Sequence, residues 1–80
     1  MIQRGIDMTD FGARLKSLRQ MHGLTQKQLA VETKISERGI QNYEINYRKP
    51  TYEILIALAD YFDVSLDYLC GRTDNPKMNK

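Results

Sequence analysis

The chain reads as an all-α domain of five short helices, and three features of its 80 residues carry that reading. Apolar side chains recur at three- and four-residue intervals, as in Phe11, Leu15 and Leu18, which is the spacing of one helical face. Hydroxyl residues suited to capping stand directly before the successive apolar runs, at Thr25, Ser36, Thr51 and Ser65. No segment alternates with period two over strand length, so no sheet is expected.

Residues 1–8 lack periodicity and are expected to form a loose arm. Thr9 is a suitable N-cap for a first helix over Asp10–His22, with Asp10 adding negative charge to its first turn. Phe11, Leu15 and Leu18 form its inner face, Met21 extends that face, and Gly23 stops it. A second helix follows from Thr25 or Gln26 to Thr33. A third runs from Ser36 to Tyr43 or Ile45. Leu29, Ala30, Ile35 and Ile40 are the inward positions of this pair. Asn46–Pro50 breaks the pattern, because Lys49 precedes a proline and avoids the α region. Thr51 caps a fourth helix whose broad apolar face is Ile54, Leu55, Leu58, Ala59 and Phe62. Ser65 caps a short fifth helix with Leu66 and Leu69 inward, ended by Gly71. The domain is therefore expected over residues 9–70, with residues 71–80 a mobile tail.

Composition bounds the function classes. Eighty residues make one small domain, with no room expected after residue 80 for a separate sensor domain. Hydrophobic residues are 41% and charged residues 28%, which suits a packed domain rather than a disordered one. The single cysteine, Cys70, forms no internal disulfide and no zinc set, and a reducing, cytoplasmic setting follows as the expectation. No apolar run approaches the roughly 20 residues of a membrane span, and the first residues lack an apolar signal segment. The net charge of +2 says little, but its distribution says more. Residues 1–50 carry nine Lys/Arg against five Asp/Glu, whereas residues 51–80 carry three against five. The basic half suits a phosphate-facing surface.

That half contains the most informative stretch, Leu24–Glu44. Two helical patterns stand back to back across a turn of three or four residues, the arrangement of a DNA-binding helix-turn-helix. Glu37, Arg38, Gln41 and Asn42 crowd the exposed side of the second helix. Arg38 and Asn42 are four apart and share a helical face. Arginine matches guanine O6/N7, asparagine matches adenine N6/N7, and Glu37 can accept from cytosine N4, while Gln41 reaches backbone or base. A solvated polar face is the blander reading of the same residues. Gly39, inside this helix, costs about 1 kcal/mol relative to alanine. It marks a close approach to DNA or to the second helix, or it has no role.

The landmarks R-L-K-S-L-R from Arg14, L-T-Q-K-Q-L-A from Leu24, I-S from Ile35, I-Q-N-Y-E from Ile40, R-K-P from Arg48 and V-S-L-D-Y-L from Val64 resemble the phage-repressor and Cro-like helix-turn-helix family, also called XRE, over Phe11–Leu69. The resemblance implies a compact five-helix fold of the phage-repressor type with a central helix-turn-helix. It implies that Gln26 meets a DNA phosphate at the start of the second helix, where free N–H groups favour an anion. It implies that Tyr47, Arg48 and Lys49 hold the sugar–phosphate backbone, and that Arg19 and Glu44 form a structural salt bridge. Tyr43 falls at an apolar position. Lys34 departs from the family's usual glycine in the turn, often left-handed, and adds a cation facing phosphate. Asn46 replaces another common glycine, which asparagine tolerates.

The implied function is a sequence-specific regulator of transcription on double-stranded DNA, a repressor acting by occlusion of its operator. A homodimer on a near-palindromic site is expected, pairing through Tyr61, Leu66, Tyr68, Leu69 and Cys70, although Leu66 and Leu69 equally suit the core. Rival readings are a restriction–modification controller, an antitoxin, or a protein-interaction domain that has lost DNA binding. No cofactor, metal or membrane partner is expected. His22 has no second ligand at metal spacing, and Cys70 has no histidine partner. Asp60, Asp63 and Asp67 form a solvated edge. No constellation of nucleophile and base supports an enzyme.

Overall fold

The computed structural model describes residues 8–77. Five helices follow one another: α1 Met8–Met21, α2 Gln26–Thr33, α3 Glu37–Glu44, α4 Tyr52–Phe62 and α5 Leu66–Leu69. No strand occurs among the described residues. The expected loose arm, residues 1–8, lies outside the described residues except for Met8, which is helical.

Four helices begin as the hydroxyl residues predict. The side chains of Thr25, Ser36, Thr51 and Ser65 accept from the backbone N–H three residues on, at 3.0, 3.0, 3.2 and 3.0 Å. Thr25 adds a reciprocal bond, donating its own N–H to Gln28 Oε1 at 2.8 Å, and so completes a capping box. The first helix differs. It is already formed at Met8, so Thr9 lies inside it and is not the cap. Methionine is a good helix former and suits a position in the first turn.

The helix ends share one device. Gly23, Lys34, Asn46, Asp63 and Gly71 follow the five helices in turn, each in the left-handed region at φ 67°, 62°, 59°, 57° and 79°. After α1 the Leu24 N–H donates to Arg19 O and the Gly23 N–H to Gln20 O, the paired bonds of a Schellman motif. The same pairing recurs after α3, α4 and α5. Lys34 therefore adopts the left-handed turn that glycine would adopt at less cost.

The inner faces meet in one core. Phe11, Leu15 and Leu18 of α1 pack with Leu29 and Ala30 of α2, Ile40 and Tyr43 of α3, Leu58, Ala59 and Phe62 of α4, Val64, and Leu69 of α5. Tyr43 is buried, with its ring edge-on to Phe11 at 6.2 Å. Ile35, Ile54, Leu55 and Leu66 are partly buried against this cluster. Met21 does not extend the face of α1. It is 72% exposed, because the last turn runs past the edge of the core. His22 closes that edge instead, its ring 4.9 Å from Phe62 and its Nδ1 2.9 Å from Leu18 O.

Gly12 permits a close approach of α1 to the end of α3. A Cβ there would lie 2.6 Å from Asn46 Oδ1 and 2.7 Å from the Glu44 carbonyl oxygen. The Gly12 N–H donates to Asn46 Oδ1 at 3.1 Å, which ties α1 to the end of α3. Residues 71–77, expected as tail, lie back on the domain. The Ser65 N–H donates to Pro76 O at 3.0 Å, and Asp74 meets Arg14 at 3.2 Å. The Arg14 guanidinium also sits 4.0 Å above the Tyr68 ring. Two residues of the expected pairing surface are thus occupied. Leu69 is 0% exposed and belongs to the core, and Tyr68 is half-buried beneath Arg14.

Candidate nucleic-acid interface

Helix α3 divides sharply between two faces. Ile40, Tyr43 and Glu44 are buried, whereas Glu37, Arg38 and Gln41 are exposed and Asn42 is half-buried. The four-residue spacing puts Glu37 above Gln41 and Arg38 above Asn42, so the polar residues form two adjoining rows. Helix α2 packs against α3 through a turn of three residues, Lys34–Ser36. That packing holds the polar face outward. Gly39 belongs to the inner side of this arrangement. A Cβ there would come 3.0 Å from Ser36 Oγ and 3.4 Å from Ile35 Cγ2, so its close neighbours are the cap and the turn.

A buried ionic cluster locks the start of α2 to the end of α3. Arg19 of α1 grips Glu44 in a two-pronged pair, through Nε to Oε2 and through Nη2 to Oε1 at 3.0 Å. Its Nη1 donates to Leu24 O at 2.9 Å. Glu44 accepts a third bond, from Gln26 Nε2 at 3.1 Å. The two ionic side chains are 11% and 2% exposed. The Glu44 hydrogen bond holds the Arg19 guanidinium above its ordinary value, against the opposing effect of its own desolvation. Among the described residues no buried side-chain nitrogen or oxygen lacks a partner, so the burial of this charge pair is compensated.

The remaining cations and aromatics of the predicted surface are exposed. Tyr47 is 76% exposed, and Arg48 and Lys49 follow it in the loop between α3 and α4. Asn42 O accepts the N–H groups of Tyr47 at 2.8 Å and Arg48 at 3.4 Å, so the loop is anchored on a residue of the polar face. Gln26 is half-buried at the start of α2, while Lys34 lies exposed at the opposite end of that helix. One candidate escaped sequence reasoning. Lys16 of α1 borders an open cleft of about 380 Å³ with Thr25, Gln26 and Ile45. Nothing in its local sequence points there, because the cleft forms only where α1, packed on α3, meets the start of α2.

Two short helices at a tight turn, one presenting a polar row and the other its N-terminus, define a helix-turn-helix module. The helix-turn-helix family model matches residues 15–69. The chain belongs to this family, in its XRE branch. It is 41% identical over 69 residues to the HTH-type transcriptional regulator ImmR of Bacillus subtilis strain 168, covering 86% of this chain and 54% of that protein. It is 43% identical over 63 residues to the uncharacterized HTH-type transcriptional regulator YobD of the same strain, covering 79% and 56%. It is also 41% identical over 59 residues to the cryptic phage CTXphi transcriptional repressor RstR of Vibrio cholerae serotype O1, strain ATCC 39315 / El Tor Inaba N16961, covering 74% and 53%. The chain thus spans about half the length of these curated relatives.

Proposed function

We propose that this chain is a sequence-specific double-stranded DNA-binding module of a transcription repressor. The observation that carries the reading is the polar face of α3, with Glu37, Arg38 and Gln41 exposed beside Asn42 on a helix whose other face is locked into the core. In this reading α3 lies in the major groove. Arg38 and Asn42 read base edges, with Glu37 and Gln41 beside them. Gln26 and the first amides of α2 take one phosphate, and Tyr47, Arg48 and Lys49 take the backbone on the other side of α3. Lys34 adds a backbone cation. Repression follows by occlusion of the operator. The naming of RstR as a repressor supports that direction of control.

A second copy completes the site. One α3 helix covers too few base pairs for useful selectivity, so two copies on a near-palindromic operator would place their α3 helices about 34 Å apart. The groove between α4 and α5, lined by Tyr52, Ile56 and Leu66 and flanked by Asp60 and Asp67, is an open, partly apolar face on the C-terminal half. It shares no residue with α2, α3 or the basic loop. Selection of bound duplexes from a random pool tests the whole reading. A recovered consensus with a dyad supports it. Recovery of no preferred sequence, with binding that depends only on salt, would leave a non-specific DNA binder and sink it.

A further inference from the structure

We infer that Glu44 is a positioning residue, one that aims the side-chain amide of Gln26 at the DNA backbone; this rests on the DNA-binding reading above. Gln26 Nε2 carries two hydrogens. One is spent on Glu44 Oε1 at 3.1 Å. The acceptor is itself immobile, since Arg19 holds both carboxylate oxygens and is braced on Leu24 O. Only the NH₂ end of an amide is compatible with a carboxylate, so the charge of Glu44 decides which way Gln26 is turned. The planar nitrogen then directs its second hydrogen away from Glu44. Gln26 and Glu44 both line an open cleft at the N-terminus of α2, together with Lys16, Arg19, Thr25 and Ile45, so the Glu44 charge that faces it is the one Arg19 already neutralises. A phosphate there meets an N–H already aimed, beside the Gln26 and Lys27 backbone amides that precede the capped Gln28 N–H, and the Lys16 cation. A freely rotating Gln26 would present its carbonyl oxygen to the same phosphate as readily and be repelled. The salt bridge therefore acts on binding as well as on folding.

The test uses the full chain and the operator recovered by selection, with Q26A, E44Q and the double variant titrated across salt concentrations. Q26A is expected to weaken binding about five- to tenfold at every salt concentration, leaving the salt slope unchanged because no cation is lost. E44Q is expected to cause a similar loss, and the double variant to bind no worse than either single one. Losses that multiply in the double variant, or an E44Q protein that binds as the parent does, overturn the inference. If E44Q does not fold, the Gln26 side-chain amide signals of the parent decide by NMR. On adding operator, the hydrogen bonded to Glu44 should keep its shift while its partner moves. Movement of both or of neither overturns the inference. A parent chain that binds no duplex at all overturns the DNA reading itself, and this is visible before any variant is made.

Discussion

Arg38 and Cys70 are the two residues whose surroundings make the sharpest statements. Arg38 is exposed on α3 one turn before Asn42, with no buried role to confound its removal. Arg38→Ala is expected to cost about 1–3 kcal/mol on the selected operator and to relax preference at one base pair. An equal loss on selected and random duplexes would make it a phosphate contact instead. Cys70 is half-buried after α5. Burial pushes its thiol above the ordinary value of 9.0, Asp67 pushes it the same way, and Arg72 opposes them. The folded state therefore holds the thiol proton more tightly than the unfolded chain does. The stability this contributes is present below the unfolded value and is lost as pH rises through the folded one. Alkylation at about pH 8 should be slower in the folded chain than in denaturant, because the thiolate is the reactive form. Its rate should rise with a midpoint above that of the denatured control. A folded chain that reacts at the denatured rate would contradict this.

At the scale of elements, caps and turn residues do most of the work. The four hydroxyl caps were legible because Ser and Thr before an apolar run have one strong use there. The left-handed ends were only partly legible. Gly23, Gly71 and Asn46 announce themselves, but Asp63 does not, and Lys34 runs against the preference of its site. A lysine held left-handed costs energy that glycine avoids, offset in part by glycine's larger chain entropy when unfolded. Lys34→Gly should therefore stabilise the chain by about 0.5–1 kcal/mol in urea melts. Its effect on DNA binding is separate, since the same change removes a cation from the turn. Gly12 gives the opposite expectation. Its missing Cβ lets α1 lie against the Glu44 carbonyl and the Asn46 side chain. Backbone cannot give way there as a flexible side-chain end could. Gly12→Ala should destabilise by about 1–3 kcal/mol despite alanine's better helix propensity, measured by the same melts. An unchanged midpoint would mean that α1 can shift freely against α3.

For the whole molecule the decisive question is how many chains occupy one operator. Two chains per site, with a dyad in the selected sequence, are expected on DNA even if the free chain is monomeric. Ile56→Lys, on the open α4–α5 groove, should abolish two-chain binding at concentrations where the parent saturates, while leaving the fold intact. One parent chain per site would refute the dimer, and two chains per site in the variant would move the pairing surface elsewhere. What the amino-acid sequence alone determined was local. Helix order, caps, most inward faces and the polar row of α3 depend on residues within a turn or two of each other, so spacing reveals them. Tertiary packing decided the rest. Leu66 and Leu69 stand on the same short helix, yet only the fold makes Leu69 core and leaves Leu66 half-buried at a groove. Arg19 and Glu44 were paired only by resemblance. The addition of Gln26 to that pair, the bond from Gly12 to Asn46 and the cleft that Lys16 shares with Gln26 and Ile45 join residues far apart in the chain. A hydrogen bond between distant residues leaves no periodicity to read, because its geometry exists only once the helices have packed.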